Sequence, residues 1–123
     1  MLSLNKKENI YSRGGLRIGD SYWNAANYTW PFGKLHLVGE GLYLERLILK
    51  REWFIPSENV IKVKKIRGVI PCLSGYQIEH MNPRLPGIVI FWSCCDLKLE
   101  KKFYLWGKKV NRRRETHPVE LQF

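Results

Sequence analysis

Between Lys34 and Trp92 apolar and polar residues alternate in short runs, each closed by a turn. Lys34-Leu35-His36-Leu37-Val38 puts Leu35 and Leu37 on one face, the period of a half-buried strand. Gly39-Glu40-Gly41 supplies a tight turn and Leu42-Tyr43-Leu44-Glu45 resumes the alternation, which predicts a hairpin over Leu35 to Leu49. Trp53-Phe54-Ile55 reads as a short aromatic strand ended by Pro56, and Ser57-Glu58-Asn59 as a turn. Val60 to Lys65 is the next strand, with Ile61 and Val63 inward and Lys62 and Lys64 outward. A loop holding Gly68, Pro71, Ser74 and Gly75 leads to the alternating Tyr76-Gln77-Ile78-Glu79-His80. Beyond the turn cluster Asn82 to Gly87, Ile88-Val89-Ile90-Phe91-Trp92 is continuously apolar, as in a strand covered on both faces.

After Trp92 the period changes. Cys95, Leu99, Phe103, Trp106 and Val110 recur at the spacing of one face of an amphipathic helix, with Lys98, Lys101, Lys102, Lys108 and Lys109 mainly off that stripe. Asp96 or Ser93 can cap its first turn, and the lysines near its end suit the helix dipole. Gly107 costs such a helix about 1 kcal/mol relative to alanine, and the helix is expected to fray before Arg112-Arg113-Arg114. The first dozen residues are polar, and Gly14-Gly15 reads as the way into the folded region. The division that follows is a flexible segment 1–15, a folded unit 16–111 and a basic tail 112–123. A strongly bent sheet leaves its core open at one end, and a helix with an apolar stripe can stopper it.

A chain of 123 residues suits one domain, and opening on Met1 it reads as a whole small protein. Apolar residues make up 45% of it, which argues against intrinsic disorder. Its charge changes the picture more. Lys and Arg number 21 against 11 Asp and Glu, a net +10 that draws phosphate, anionic lipid or an acidic protein face. Two groups carry it: Lys62, Lys64, Lys65 and Arg67 on one predicted strand, and Lys108, Lys109, Arg112, Arg113 and Arg114 around the end of the helix. Tyr22, Trp23, Tyr28 and Trp30 precede the first strong strand, and basic grooves with aromatic platforms hold single-stranded nucleic acid. Such aromatics more often fill a core, and a charge run is more often a solvated face.

The signals for chemistry are weak. No C-x-x-C, H-E-x-x-H, P-loop or G-x-S-x-G occurs. Cys72, Cys94 and Cys95 are an odd set with two neighbours adjacent, a poor disulfide framework. A thiol at the start of the helix with His36 or His80 as base is the one nucleophile arrangement available, and a buried, inert cysteine is the commoner state. His80, placed before a turn, fits a loop carbonyl better than a metal, and no zinc set is visible. Asp20 and Asp96 are the only aspartates. The reading is therefore a protein without catalysis or cofactor. No signal peptide is evident, and the apolar run Ile88 to Trp92 is far short of the ~20 residues that span a bilayer. A cytoplasmic protein, at most peripheral at a membrane, is expected, which makes the sequon Asn27-Tyr28-Thr29 a chance match.

The run from Trp30-Pro31-Phe32-Gly33-Lys34-Leu35 into Leu42-Tyr43-Leu44 resembles a pleckstrin-homology-like (GRAM-like) barrel, more narrowly the small bacterial proteins of unknown function with that fold. Trp53-Phe54-Ile55-Pro56, Val60, and Ile78-Glu79-His80-Met81-Asn82-Pro83 running to Ile88-Val89-Ile90-Phe91-Trp92 continue the likeness, which covers roughly residues 20 to 110. It implies a mainly β domain, a bent antiparallel barrel of about seven strands capped by one C-terminal helix. Members bind phosphoinositides, peptides or other domains, or serve as rigid platforms, and the fold does not choose among these. Lipid-binding members carry closely spaced basic residues on their first two strands. Here Lys34 stands alone at the start of the hairpin, with Arg46, Lys50 and Arg51 at its other end, which weighs against inositol phosphates. The expectation is a binding or scaffold module for a protein or peptide. An acidic lipid surface comes second and a nucleic acid after it, with self-association open through an exposed strand edge.

Overall fold

The computed structural model describes residues 10–21, 25–68, 73–94, 98–114 and 117–123. Strands β1 (Ile10–Gly19), β2 (Ala25–Val38), β3 (Gly41–Arg46) and β4 (Arg51–Pro56) form a meander. A 3-10 turn, Ser57–Asn59, leads to β5 (Val60–Arg67), β6 (Leu73–His80) and β7 (Ile88–Cys94). Helix α1 (Leu99–Arg113) and a last strand, β8 (Glu120–Gln122), complete the order. The strands make one sheet in the sequence β4-β3-β2-β1-β7-β6-β5-β8. Its pairings are antiparallel except that β8 runs parallel to β5. Among the described residues no pairing joins β4 to β8, so the sheet keeps two edges.

The alternation along the chain becomes one core. Leu35 and Leu37 of β2 face Leu44 and Leu42 of β3, and all four are buried. Val89 and Phe91 from β7 and Leu16 and Ile18 from β1 join the same cluster. Helix α1 contributes Leu99, Phe103, Trp106 and Val110, the part of the predicted stripe that follows Cys95. Burial of a side chain such as Phe103 or Leu99 stabilises the fold by about 1.5–3 kcal/mol. Trp106 also donates its indole N–H to the Val38 carbonyl at 2.8 Å, which satisfies the one polar atom it takes into the core.

Strand β1 begins at Ile10, ahead of the expected boundary at Leu16, and adds a strand before the predicted first hairpin. Gly14-Gly15 lies inside it and marks its bend. Gly14 faces Gly33 and the next pair is Leu16 with Tyr28, so residues 29–32 of β2 have only Gly15 across from them. A Cβ on Gly14 would stand 2.0 Å from the Trp92 carbonyl oxygen, so only glycine lets β1 and β7 approach there.

Ile61 is a second correction. A bulge between Val60 and Lys62 puts an extra residue on β5, so Val60 and Val63 are buried while Ile61 is 45% exposed. Ser74 and Gly75, read as loop, belong to β6 and pair with Ser93 and Trp92. Ser93 is therefore a buried strand residue rather than a helix cap. The helix runs through Arg112 and Arg113 instead of fraying before them, since both are last-turn cations that suit the dipole. The segment read as a basic tail supplies β8, which makes eight strands among the described residues. Pro71, Cys72, Cys95, Asp96, Tyr22 and Trp23 lie outside the described residues.

Candidate functional site

Past Arg113 the chain reverses and lays an extended segment along the free edge of β5. His117 takes a left-handed φ of 38° just before Pro118, which turns the backbone. Asn111, on the last turn of α1, accepts the Val119 N–H on its Oδ1 at 2.7 Å. Lys62, Val63 and Lys64 of β5 then stand in parallel register with Glu120, Leu121 and Gln122. Within this segment alternate residues point to opposite sides. Val119 is buried, and Leu121 and Phe123 pack against the core, whereas Glu120 and Gln122 face out.

The receiving trough lies between β5 and α1. Phe123 packs edge-on against Tyr104 at 4.9 Å, Tyr76 at 5.6 Å and Phe103 at 6.0 Å between ring centroids. Leu121 sits over Gly107, where a Cβ would come within 2.9 Å of its Cδ1. The glycine that weakens the helix in sequence terms is thus the floor of a side-chain pocket. What this arrangement does chemically is hold an extended strand: backbone groups of the β5 edge pair with it, and pockets accept every second side chain.

The two basic groups lie on the two elements that frame this trough. Lys64 and Arg67 are exposed and Lys62 half-exposed on β5, while Lys65 pairs with Glu100 of α1 at 3.5 Å. Lys108, Lys109, Arg112 and Arg113 are exposed on α1. Arg114 differs. Its guanidinium donates to the carbonyls of Ser57, Val60 (2.7 Å) and His117 (3.1 Å), tying the helix end to the start of β5. Burial lowers its pKa from the ordinary arginine value, against the pull of Glu58. Arg113 and Arg114 both border a cleft of about 400 Å³ with Gly39, Glu40, Phe54 and Glu58, so two carboxylates face two guanidinium groups there.

The other candidates are elsewhere. His80 receives the Asn82 N–H on Nδ1 at 3.1 Å and lies 2.7 Å from the Pro86 carbonyl through Nε2, so a proton on Nε2 completes both bonds. It braces the loop, as its place before a turn suggests. Trp30 is 58% exposed and borders a recess with Tyr28, Leu73 and Trp92. His36 lies on the outer sheet face, 4.0 Å from Glu45, and its pKa is lowered by burial and by Lys34, with Glu45 and Glu52 acting the other way. No group of three or more His, Cys, Asp or Glu among the described residues is placed to hold a metal ion. Among the same residues no helix is long and apolar enough to cross a membrane. The trough itself escaped the sequence reading, although Val119-x-Leu121-x-Phe123 and the lone helical Gly107 are its two traces.

No protein-family model matches the chain, and no curated protein matches it in sequence. Among the described residues the fold is mainly β, and one helix, α1, together with strand β5 brackets an extended segment.

Proposed function

We propose that this protein is a non-catalytic binding module of pleckstrin-homology-like fold, whose ligand is an extended peptide segment added to the β5 edge. The fold reading is supported by a bent β1 that pairs with both β2 and β7 and by a C-terminal helix set into the core. In this reading the sheet curls as an open barrel, with β8 as an addition to a seven-stranded framework. The observation that carries the function is the occupied trough: residues Val119 to Phe123 already bind there in the manner of a ligand. Their pattern defines the class of peptide, apolar at alternate positions and neutral or acidic between, as with Glu120 opposite Lys62 of β5. The chain's own segment is then a tethered competitor at millimolar effective concentration, on the order usual for short linkers.

A nucleic-acid role has less support, because Arg46 engages both the hydroxyl and the ring of Tyr28, which leaves Trp30 as the exposed platform among the described candidates. The test weakens the tethered segment with Leu121→Ser and Phe123→Ser and titrates a labelled His117–Phe123 peptide by fluorescence polarisation. The variant is expected to bind at least tenfold more tightly than the wild type. A variant that keeps its circular dichroism yet binds no peptide would sink the proposal.

A further inference from the structure

The outer face of β1 to β4, opposite the core, carries two cross-strand rows. One is of rings: Tyr11 pairs with His36, His36 with Tyr43, and Tyr43 with Phe54. Tyr11 and His36 stack with centroids 5.7 Å apart, and Tyr43 and Phe54 lie at 4.6 Å. The row beside it is of charges: Arg13 pairs with Lys34, Lys34 with Glu45, and Glu45 with Glu52. The intervening Ser12, Leu35, Leu44 and Trp53 are buried, which fixes both rows on the far side of the sheet. Three of the four row ends are open, with Tyr11 47% exposed and Arg13 and Glu52 exposed, while Phe54 is half-buried.

Across the four strands the charges run positive, positive, negative, negative. A polyanion or a polycation would meet its own sign over half of this face. The same order is complementary to itself after a half-turn. The geometry points to a second copy of this chain as the occupant of the face, docked sheet on sheet about a two-fold axis that runs along the strands between β2 and β3. Strand β1 then lies over the partner's β4 and β2 over its β3, an isologous contact. Arg13 meets the partner's Glu52, Lys34 meets the partner's Glu45, and Tyr11 meets the partner's Phe54. Near-aligned stacking of this kind is one of the two common sheet packings. The contact is made by strands β1 to β4, and the trough by β5 and α1.

Its size sets its strength. Six residues of β3 and four paired strands make a patch of roughly 20 by 19 Å. That is smaller than the ~800 Å² per partner of a stable interface, so the dimer is weak, with a dissociation constant on the order of 10–100 µM. Glu45 is engaged by Lys50 at 3.8 Å and Lys34 by the Tyr11 ring at 4.6 Å, which leaves Arg13 and Glu52 as the positions to reverse.

Sedimentation velocity of the full chain from about 5 to 500 µM tests this. The wild type is expected to pass from monomer to dimer over that range, and the dimer to weaken between roughly 0.05 and 0.5 M salt. Arg13→Glu or Glu52→Arg alone is expected to weaken it at least tenfold, with the thermal melt unchanged because both positions are exposed. Arg13→Glu combined with Glu52→Arg restores the pairing with signs exchanged and is expected to return to within about threefold of wild type. A wild type that stays monomeric, or a double reversal no better than the single ones, overturns the inference. A dimer indifferent to salt and to both single reversals forms through another surface, such as a strand edge, and overturns it as well.

Discussion

Replacing Gly107 by alanine sets the helix's own preference against the segment packed on it. In an ordinary helix interior the exchange stabilises by about 1 kcal/mol. Here the new methyl would stand 2.9 Å from Leu121 Cδ1 and 3.6 Å from its Cγ. Leu121 would have to swing aside and give up part of a burial that is worth at most about 1.5–3 kcal/mol for a full side chain. Leu121 is only partly buried, so the loss is about 1 kcal/mol and cancels the helical gain. Gly107→Ala is thus expected to change stability by less than about 0.5 kcal/mol in the wild-type chain. With Leu121→Ala already in place nothing is displaced, and the full gain of about 1 kcal/mol returns. Urea unfolding followed by far-ultraviolet circular dichroism on the four proteins of the cycle measures both, since 1 kcal/mol moves the midpoint by roughly 0.3–1 M. Equal stabilisation by Gly107→Ala in both backgrounds would refute the docking of β8 on α1.

Two further outcomes follow from the same geometry. Burial and Lys34 lower the folded-state pKa of His36 below the unfolded value near 6.5, so neutral His36 supports stability fully above that pH. The contribution falls as the pH drops from about 6.5 to the lowered folded value, and thermal melts between pH 7.5 and 5.5 should show a smaller loss for His36→Gln than for wild type. Arg114→Met removes the guanidinium bonds to Ser57, Val60 and His117 and is expected to cost about 1.5–3 kcal/mol in urea unfolding, whereas exposed Arg113→Met should stay within about 0.5 kcal/mol.

What the sequence made legible is what repeats at short range. Leu35 and Leu37, or Phe103 and Trp106, announce their burial because period two or three to four needs no knowledge of distant chain. Ile61 misleads because a bulge inserts a residue and reverses the face of everything before it. Gly14-Gly15 reads as an entrance because glycine marks both turns and close strand contacts, and only the Trp92 backbone on β7 decides between them. The trough is harder still. β8 has three residues and follows a basic run, so its alternation is too short to stand out. The ring and charge rows of the outer face exist only through the register of β1 to β4, and no one strand contains them. Arg114 shows the same limit: by type it belongs with a ligand-binding cluster, by position it is a brace.

The central claim is that the trough between β5 and α1 accepts an extended segment, and amide shift mapping by two-dimensional NMR tests it residue by residue. In the variant with Leu121→Ser and Phe123→Ser, adding the His117–Phe123 peptide should move the amides of Val63, Lys64, Phe103 and Gly107 back toward their wild-type positions. Shifts gathered instead around Trp30 and Trp92, or none at saturating peptide, would contradict it.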